Sequence, residues 1–203
     1  MIVTISNEYG AGALAIAQRV ADTLGYEYVD QQLPVVVAKR LRVAPETVDA
    51  DEDAERSLGE RLLTSLERAT PELAEASAAE PFDEELFRAV QDAVHDYASR
   101  GDAVIVGRGA AAILGVRDDV MSVFMHAPRA WRVAHVVDTM HVRKELAEAE
   151  IDRVDRARVA YMRERYGRTF GDAREYDLSI DTSRFGVTQS AAMIVAAVRA
   201  RGA

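Results

Sequence analysis

A strand, a glycine-bearing turn and a helix follow one another without a linker between Met1 and Gly25, and this order constrains the remainder of the chain more than any other feature. Ile2 to Ile5 is an apolar, β-branched run. Gly10 and Gly12 break it, and a helix-period segment runs from Ala13 to Leu24. Such an order puts backbone N–H groups of the turn and of the helix N-terminus on one side of a concavity, where the positive dipole end favours an anion such as phosphate. An ordinary tight connection between strand and helix has the same outline, so the residues themselves leave both readings open.

The departure from the standard phosphate loop is as informative as the match. Laid on the glycine-x-x-x-x-glycine-lysine-serine/threonine pattern, Asn7 takes the first glycine position and Gly12 the last. Ala13 stands where the lysine would be and Leu14 where the hydroxyl would be. No lysine reaches the β/γ-phosphates from this loop, and no hydroxyl occupies the position that normally holds magnesium. The backbone part of such a site is retained and its side-chain part is not.

The chain has 203 residues, 49% of them hydrophobic, enough for one compact domain with a sizeable core. Without cysteine, disulfides and thiolate metal sites are excluded. The N-terminus carries no basic flank with a long apolar core, and no apolar run approaches the ~20 residues that a membrane span requires. A soluble cytoplasmic protein is the expectation. With 34 acidic and 25 basic residues the net charge is −9, which disfavours long nucleic acids. The basic residues crowd between Arg129 and Arg174, a local patch suited to a small anion. The histidines show no ligand spacing, and no metal-binding residues are assigned.

Along the chain, Gly25 is placed as a helix C-cap and Tyr26 to Asp30 as a short strand that ends on an acid. A helical pattern covers Gln32 to Arg42. An acidic, alanine-rich helical segment follows, its charges read chiefly as a solvated face, and 74–81 reads as a mobile connection. Asp83 is expected to cap an amphipathic helix with Phe87, Val90, Val94 and Tyr97 on one face. Ala103 to Val106 is a buried strand, and Gly107, Arg108 and Gly109 follow it at once. This leaves the guanidinium projecting from a tight turn, either as a phosphate clamp or as a plain surface arginine. Val120 to His126 is the next strand, broken by Ala127 and Pro128, and a helix carrying Arg132 follows. The segment about 139–171 is basic and mostly helical. Its arginines read individually as partners of acids one turn away and together as a lid. Tyr176 to Ile180 is a last strand, closed by Asp181, Thr182 and Ser183, and Val187 to Ala200 a last helix. Strands alternating with helices give an α/β three-layer sandwich with a five-stranded, mainly parallel sheet.

With these pieces in order, the chain resembles the cytidylate kinase-like family of phosphate-loop kinases over nearly its whole length. The resemblance is carried by ISNEYGAGALAIA at Ile5 to Ala17, YVDQQL at Tyr28 to Leu33, VIVGRGAAAIL at Val104 to Leu114, HAPRAWRV at His126 to Val133, and IDRVDRARVAYMRERYG followed by YDLSIDTS. Family members commonly carry ISREYGSGG at the loop. The lysine-less loop is therefore typical of this branch, and Asn7 in place of the usual arginine is a further departure.

The resemblance implies a single domain over 1–203 of phosphate-loop kinase type, with an acceptor-side insertion at about 45–82 and a helical lid at about 139–171. It implies that the loop formed by Asn7, Gly10, Ala11, Gly12, Ala13 and Leu14 holds the donor phosphates, with amides from Gly10 to Ala13. Asp30 and Arg108 would face the acceptor nucleotide, and Arg132, Arg153, Arg156 and Arg158 would close over the transferring group. ATP and Mg2+ would be used, and the partners would be small nucleotides, with no membrane and no long nucleic acid; oligomeric state is not legible. Two functions follow. One is transfer of the ATP γ-phosphate to a nucleoside monophosphate such as CMP or dCMP. The other is a nucleotide-binding module that has lost transfer and serves a regulatory or partner-binding role.

Overall fold

A computed structural model describes residues 1–29 and 79–202. The chain parts into two compact units, Met1–Tyr28 with Gly101–Ala203, and Val29–Arg100. The insertion expected at about 45–82 lies outside the described residues, save for the start of one helix, and so do Asp30 and the helix expected over 32–42.

Five strands form one sheet: β1 (Ile2–Asn7), β2 (Glu27–Val29), β3 (Ala103–Val106), β4 (Val120–His126) and β5 (Leu178–Asp181), in the spatial order β2-β3-β1-β4-β5. β1 runs parallel to both β3 and β4, and β5 runs parallel to β4. The period of two divides their side chains between the faces. Val3, Ile5, Val104, Val106, Met121, Val123, Met125 and Ile180 join one core beneath two helices, α1 (Ala13–Leu24) and α6 (Thr182–Arg201). Thr4, Ser6, Phe124 and His126 alternate with them on the other side.

α1 forms because Ala13, Ile16, Ala17, Val20 and Ala21 recur at helical spacing and are all buried. Gly25 stops it in the left-handed region at φ +71, its N–H returning to the Ala21 carbonyl. Burial of Ile16 and Val20, at 1% and 0% exposure, stabilises the fold by roughly 1.5–3 kcal/mol each. α3 (Ala110–Leu114) follows β3, and α4 (Arg129–Met140) follows β4. α5 (Lys144–Tyr166) packs on α4 through Ala147, Ile151 and Val154, which meet Val133, Val136 and Tyr9 in a second apolar cluster.

Two boundaries differ from the sequence reading. In the Val29–Arg100 unit, helix α2 (Ala79–Arg100) begins ahead of Asp83 and runs through Pro81. A proline is accepted in a first turn, where its missing N–H has no acceptor in any case. An additional helical turn precedes the expected last helix: it starts at Thr182, where the Asp181 carboxylate accepts from the Ser183 N–H at 3.1 Å and caps it. Gly186, at φ 61 and ψ −175, interrupts the helical backbone, so the stretch from Val187 onward begins where the sequence places it.

Candidate functional site

The buried run of β1 delivers Asn7 to the carboxyl end of the sheet, where the loop 8–12 turns into α1. Four carbonyls of this turn accept hydrogen bonds. The Asn7 carbonyl accepts from Arg158 Nη1, and the Glu8 carbonyl accepts from Asn7 Nδ2 at 2.8 Å and from the Ala11 N–H at 3.2 Å. The Tyr9 carbonyl accepts from Arg132 Nη1 at 2.9 Å, and the Ala11 carbonyl from Thr182 Oγ1 at 2.8 Å. Gly12 then caps α1 in the left-handed region, at φ +73. The first N–H groups of a helix have no intrahelical acceptor. Those of Gly12, Ala13 and Leu14 are therefore the donors that this loop offers to an anion.

Gly10 is required for a different reason. At φ +78, a Cβ built on it would lie 2.8 Å from Val136 Cγ2 and 3.2 Å from the Arg132 carbonyl oxygen. The loop thus rests directly on α4. A Cβ at Gly12 would meet only His135 Nε2, at 3.5 Å.

The residues assigned from sequence fall into distinct places. Arg132 is 6% exposed. Its Nε donates to the Ala127 carbonyl at 3.0 Å and lies 3.3 Å from Glu8 Oε2, and its Nη1 also donates to Asp155 Oδ2 at 2.6 Å. Arg158 reaches the loop at Asn7, whereas Arg153 pairs with Glu150 at 2.7 Å, 53% exposed, and Arg156 is exposed. An exposed pair of that kind contributes about 0–1 kcal/mol and exchanges its partner at little cost. Leu14 packs against the core beneath α1. Asp30 lies outside the described residues.

Arg108 occupies an unusual backbone. Gly107, Arg108 and Gly109 have φ of 70, 61 and 68, three left-handed residues in succession. The turn is tied to β1 by the Gly107 N–H, which donates to the Ile5 carbonyl at 2.8 Å. Tyr166, at the end of α5, lies against Gly109 so closely that a Cβ there would meet its ring at 2.8 Å. Burial, helped by the Tyr161 hydroxyl 3.4 Å away, holds the Tyr166 phenol well above its ordinary range. It stays neutral.

Behind the loop lies a cavity of about 390 Å³ reached by Glu8, His126, Asp155, Phe124 and Phe170. Phe124 meets Phe170 edge-on at 5.3 Å and Tyr176 at 5.0 Å. Sequence reasoning missed Glu8, Asp155 and Thr182. Their residue types are ordinary for a helix or a strand end, and only the tertiary contacts single them out.

Among the described residues, magnesium is not fitted by the loop. Leu14 stands in place of a hydroxyl, one Glu8 oxygen accepts from the Ala127 N–H, and the Asp155 oxygens accept from Tyr9 and Arg132. No group of three acidic, histidine or cysteine side chains suited to a metal occurs among the described residues. No helix among the described residues is long and apolar enough to cross a membrane.

A parallel five-stranded sheet in this order, with a glycine loop leading from its central strand into a helix, defines a protein of the phosphate-loop kinase type. The chain belongs to the cytidylate kinase-like family, whose model matches residues 2–184. It is 27% identical over 201 residues to a cytidylate kinase of Natronomonas pharaonis, covering 98% of this chain and 90% of that one. It is 28% identical over 187 residues to a cytidylate kinase of Halobacterium salinarum, covering 92% and 83%. Among solved structures, an uncharacterized protein from Eubacterium ventriosum superposes with a TM-score of 0.64 at 18% identity, covering 98% of both chains. The shikimate kinase of Bacteroides thetaiotaomicron does so with 0.54 at 12% identity, also covering 98% of both. These two likenesses concern the fold.

Proposed function

We propose that this protein is a nucleotide kinase that transfers the γ-phosphate of ATP to a nucleoside monophosphate of the CMP or dCMP kind. The observation that carries the proposal is the family match over residues 2–184 in a chain whose glycine loop presents the Gly12, Ala13 and Leu14 amides at the head of α1. The cytidylate kinase relatives support the nucleotide class, and the pyrimidine acceptor is the finer part of the reading.

Phosphoryl transfer depends on positioning and charge neutralisation more than on covalent chemistry. The loop amides would hold the donor phosphates from one side, in a loop that has no lysine. Arg153 and Arg156, exposed on α5, and Arg158 beside Asn7 would supply positive charge from the other. Arg108 would take the acceptor phosphate, and Asp30, outside the described residues, the acceptor itself. The family implies that ATP is used with magnesium.

One assay tests the proposal: purified protein with ATP, magnesium and a panel of nucleoside monophosphates, coupled to ADP release. CMP and dCMP should turn over faster than AMP or GMP. A second reading, a binding module without transfer, is favoured by one observation: the buried Arg132 is already committed to the loop backbone. Nucleotide binding without ADP release from any monophosphate would decide for it.

The lid reading makes a separate prediction. The first half of α5, anchored by Ala147, Ile151 and Val154, should be protected from hydrogen exchange with or without ligand. The stretch from Arg156 to Gly171 should gain protection with a bisubstrate analogue, as phosphates neutralise its arginines. Equal protection in both states would remove the lid.

A further inference from the structure

One residue of the loop, Tyr9, is gripped at both of its backbone polar groups, which belong to two successive peptide groups. The Tyr9 N–H donates to Asp155 Oδ1 at 2.9 Å, and the Tyr9 carbonyl accepts from Arg132 Nη1 at 2.9 Å. The same Nη1 donates to Asp155 Oδ2 at 2.6 Å, so backbone, guanidinium and carboxylate close a ring that joins the loop to α4 and α5. Arg132 Nε, bonded to the Ala127 carbonyl, fixes the rotation of the fork. Lysine has neither the planar geometry nor the several donors needed to span these acceptors.

Such a pair adds little to stability, because desolvating both charges offsets most of their attraction. What it does is fix geometry. The turn has no lysine of its own, and the next residue, Gly10, sits against the Arg132 carbonyl.

We propose that Arg132 and Asp155 are positioning residues: they lock the two peptide groups that flank the Tyr9 Cα and thereby aim the Gly12 and Ala13 amides at the donor phosphate. In this role Arg132 acts through the backbone and not on the transferring group. The proposal rests on the nucleotide reading of the loop.

The test uses the full chain with Asp155→Asn, Arg132→Gln and the double variant. Asparagine keeps an oxygen for the Tyr9 N–H but turns an NH2 toward Arg132, donor against donor. In nucleotide-free protein, exchange of the amides from Tyr9 to Leu14 should quicken about tenfold or more in each single variant, while β1 and α6 stay unchanged. A non-hydrolysable ATP analogue should bind about tenfold more weakly, the loss expected when a preorganised site loosens. The double variant should recover part of both effects, since two amides can pair without a buried charge.

Acceleration spread evenly over β1, β4 and α6, or an unchanged loop, overturns the proposal. Should Arg132→Gln fail to fold, Asp155→Asn alone decides, because its carboxylate is 24% exposed and its shape is conserved. If the parent binds no analogue yet Asp155→Asn loosens 9–14 selectively, the bracket stands and the nucleotide reading falls. If the variants bind as tightly as the parent, the bracket falls and the nucleotide reading stands.

Discussion

Gly10→Val should destabilise the protein by about 3 kcal/mol, combining the strain of a left-handed side chain with overpacking against α4. The Cβ would stand 2.8 Å from Val136 Cγ2 and 3.2 Å from a backbone oxygen, and a backbone oxygen cannot swing aside as a side chain can. Urea unfolding measures the loss, and calorimetry with an ATP analogue should register no binding to the folded remainder, because the loop must lift off α4 to admit the new side chain. Gly12 gives the contrast. Its Cβ would meet only His135 Nε2 at 3.5 Å, so Gly12→Ala should cost about 1 kcal/mol, the backbone term alone. Gly12→Val should still abolish nucleotide binding, by placing bulk in front of the helix amides. A Gly12 substitution that unfolds the protein more readily than Gly10→Val would contradict the packing of loop on helix.

Arg108→Lys should fold as the parent does and lose about thirtyfold in affinity for the acceptor monophosphate, roughly 2 kcal/mol for a charge-assisted contact. Lysine keeps the charge but not the planar fork that grips two phosphate oxygens. Donor affinity should hardly change. The backbone sharpens the test, since a non-glycine residue at φ 61 between two left-handed glycines stores on the order of 1–2 kcal/mol of strain. Arg108→Gly relieves that strain while removing the side chain's contacts, so its net stability should stay within about 1 kcal/mol of the parent. Acceptor binding should fall at least as far as in Arg108→Lys. Titration of CMP against each variant measures this. Equal CMP affinity in parent, lysine and glycine forms would detach Arg108 from the acceptor.

What could be read from the chain follows the range over which each signal acts. β1, its glycine turn and α1 were legible because a continuous apolar, β-branched run gives way to a period of 3.6 across Gly10 to Gly12, and the signal for each element lies inside it. β3 was legible from its uninterrupted apolar run and β4 from an apolar run broken only by Ser122 before its closing His126, with bounds that match the structure at Ala103–Val106 and Val120–His126. The main stretch of α6 from Val187 was legible, but the turn ahead of it was not, because Asp181, Thr182 and Ser183 read as the close of a strand. The loop's glycines were found, but the side chains that brace it were not. Asp155 meets the Tyr9 N–H across 146 residues and Glu8 meets the Ala127 N–H across 119, and nothing in the local pattern of IDRVDRARV separates Asp155 from the solvated acids beside it. Arg132 was singled out by the family resemblance of HAPRAWRV. Its burial came from the fold.

The hydroxyl of Thr182 joins the Ala11 carbonyl to the last strand–helix junction across 171 residues, its single proton shared with the His126 carbonyl 3.2 Å away. The glycine turn leaves the ribosome 171 residues ahead of its clasp. During synthesis β1, β3 and β4 can pair and bury apolar surface while the turn still samples other conformations, because contacts of such long sequence separation form late. Competence to hold an anion is therefore acquired at the end of folding. A nascent chain released short of Thr182 would possess the glycine loop in sequence without possessing it in shape.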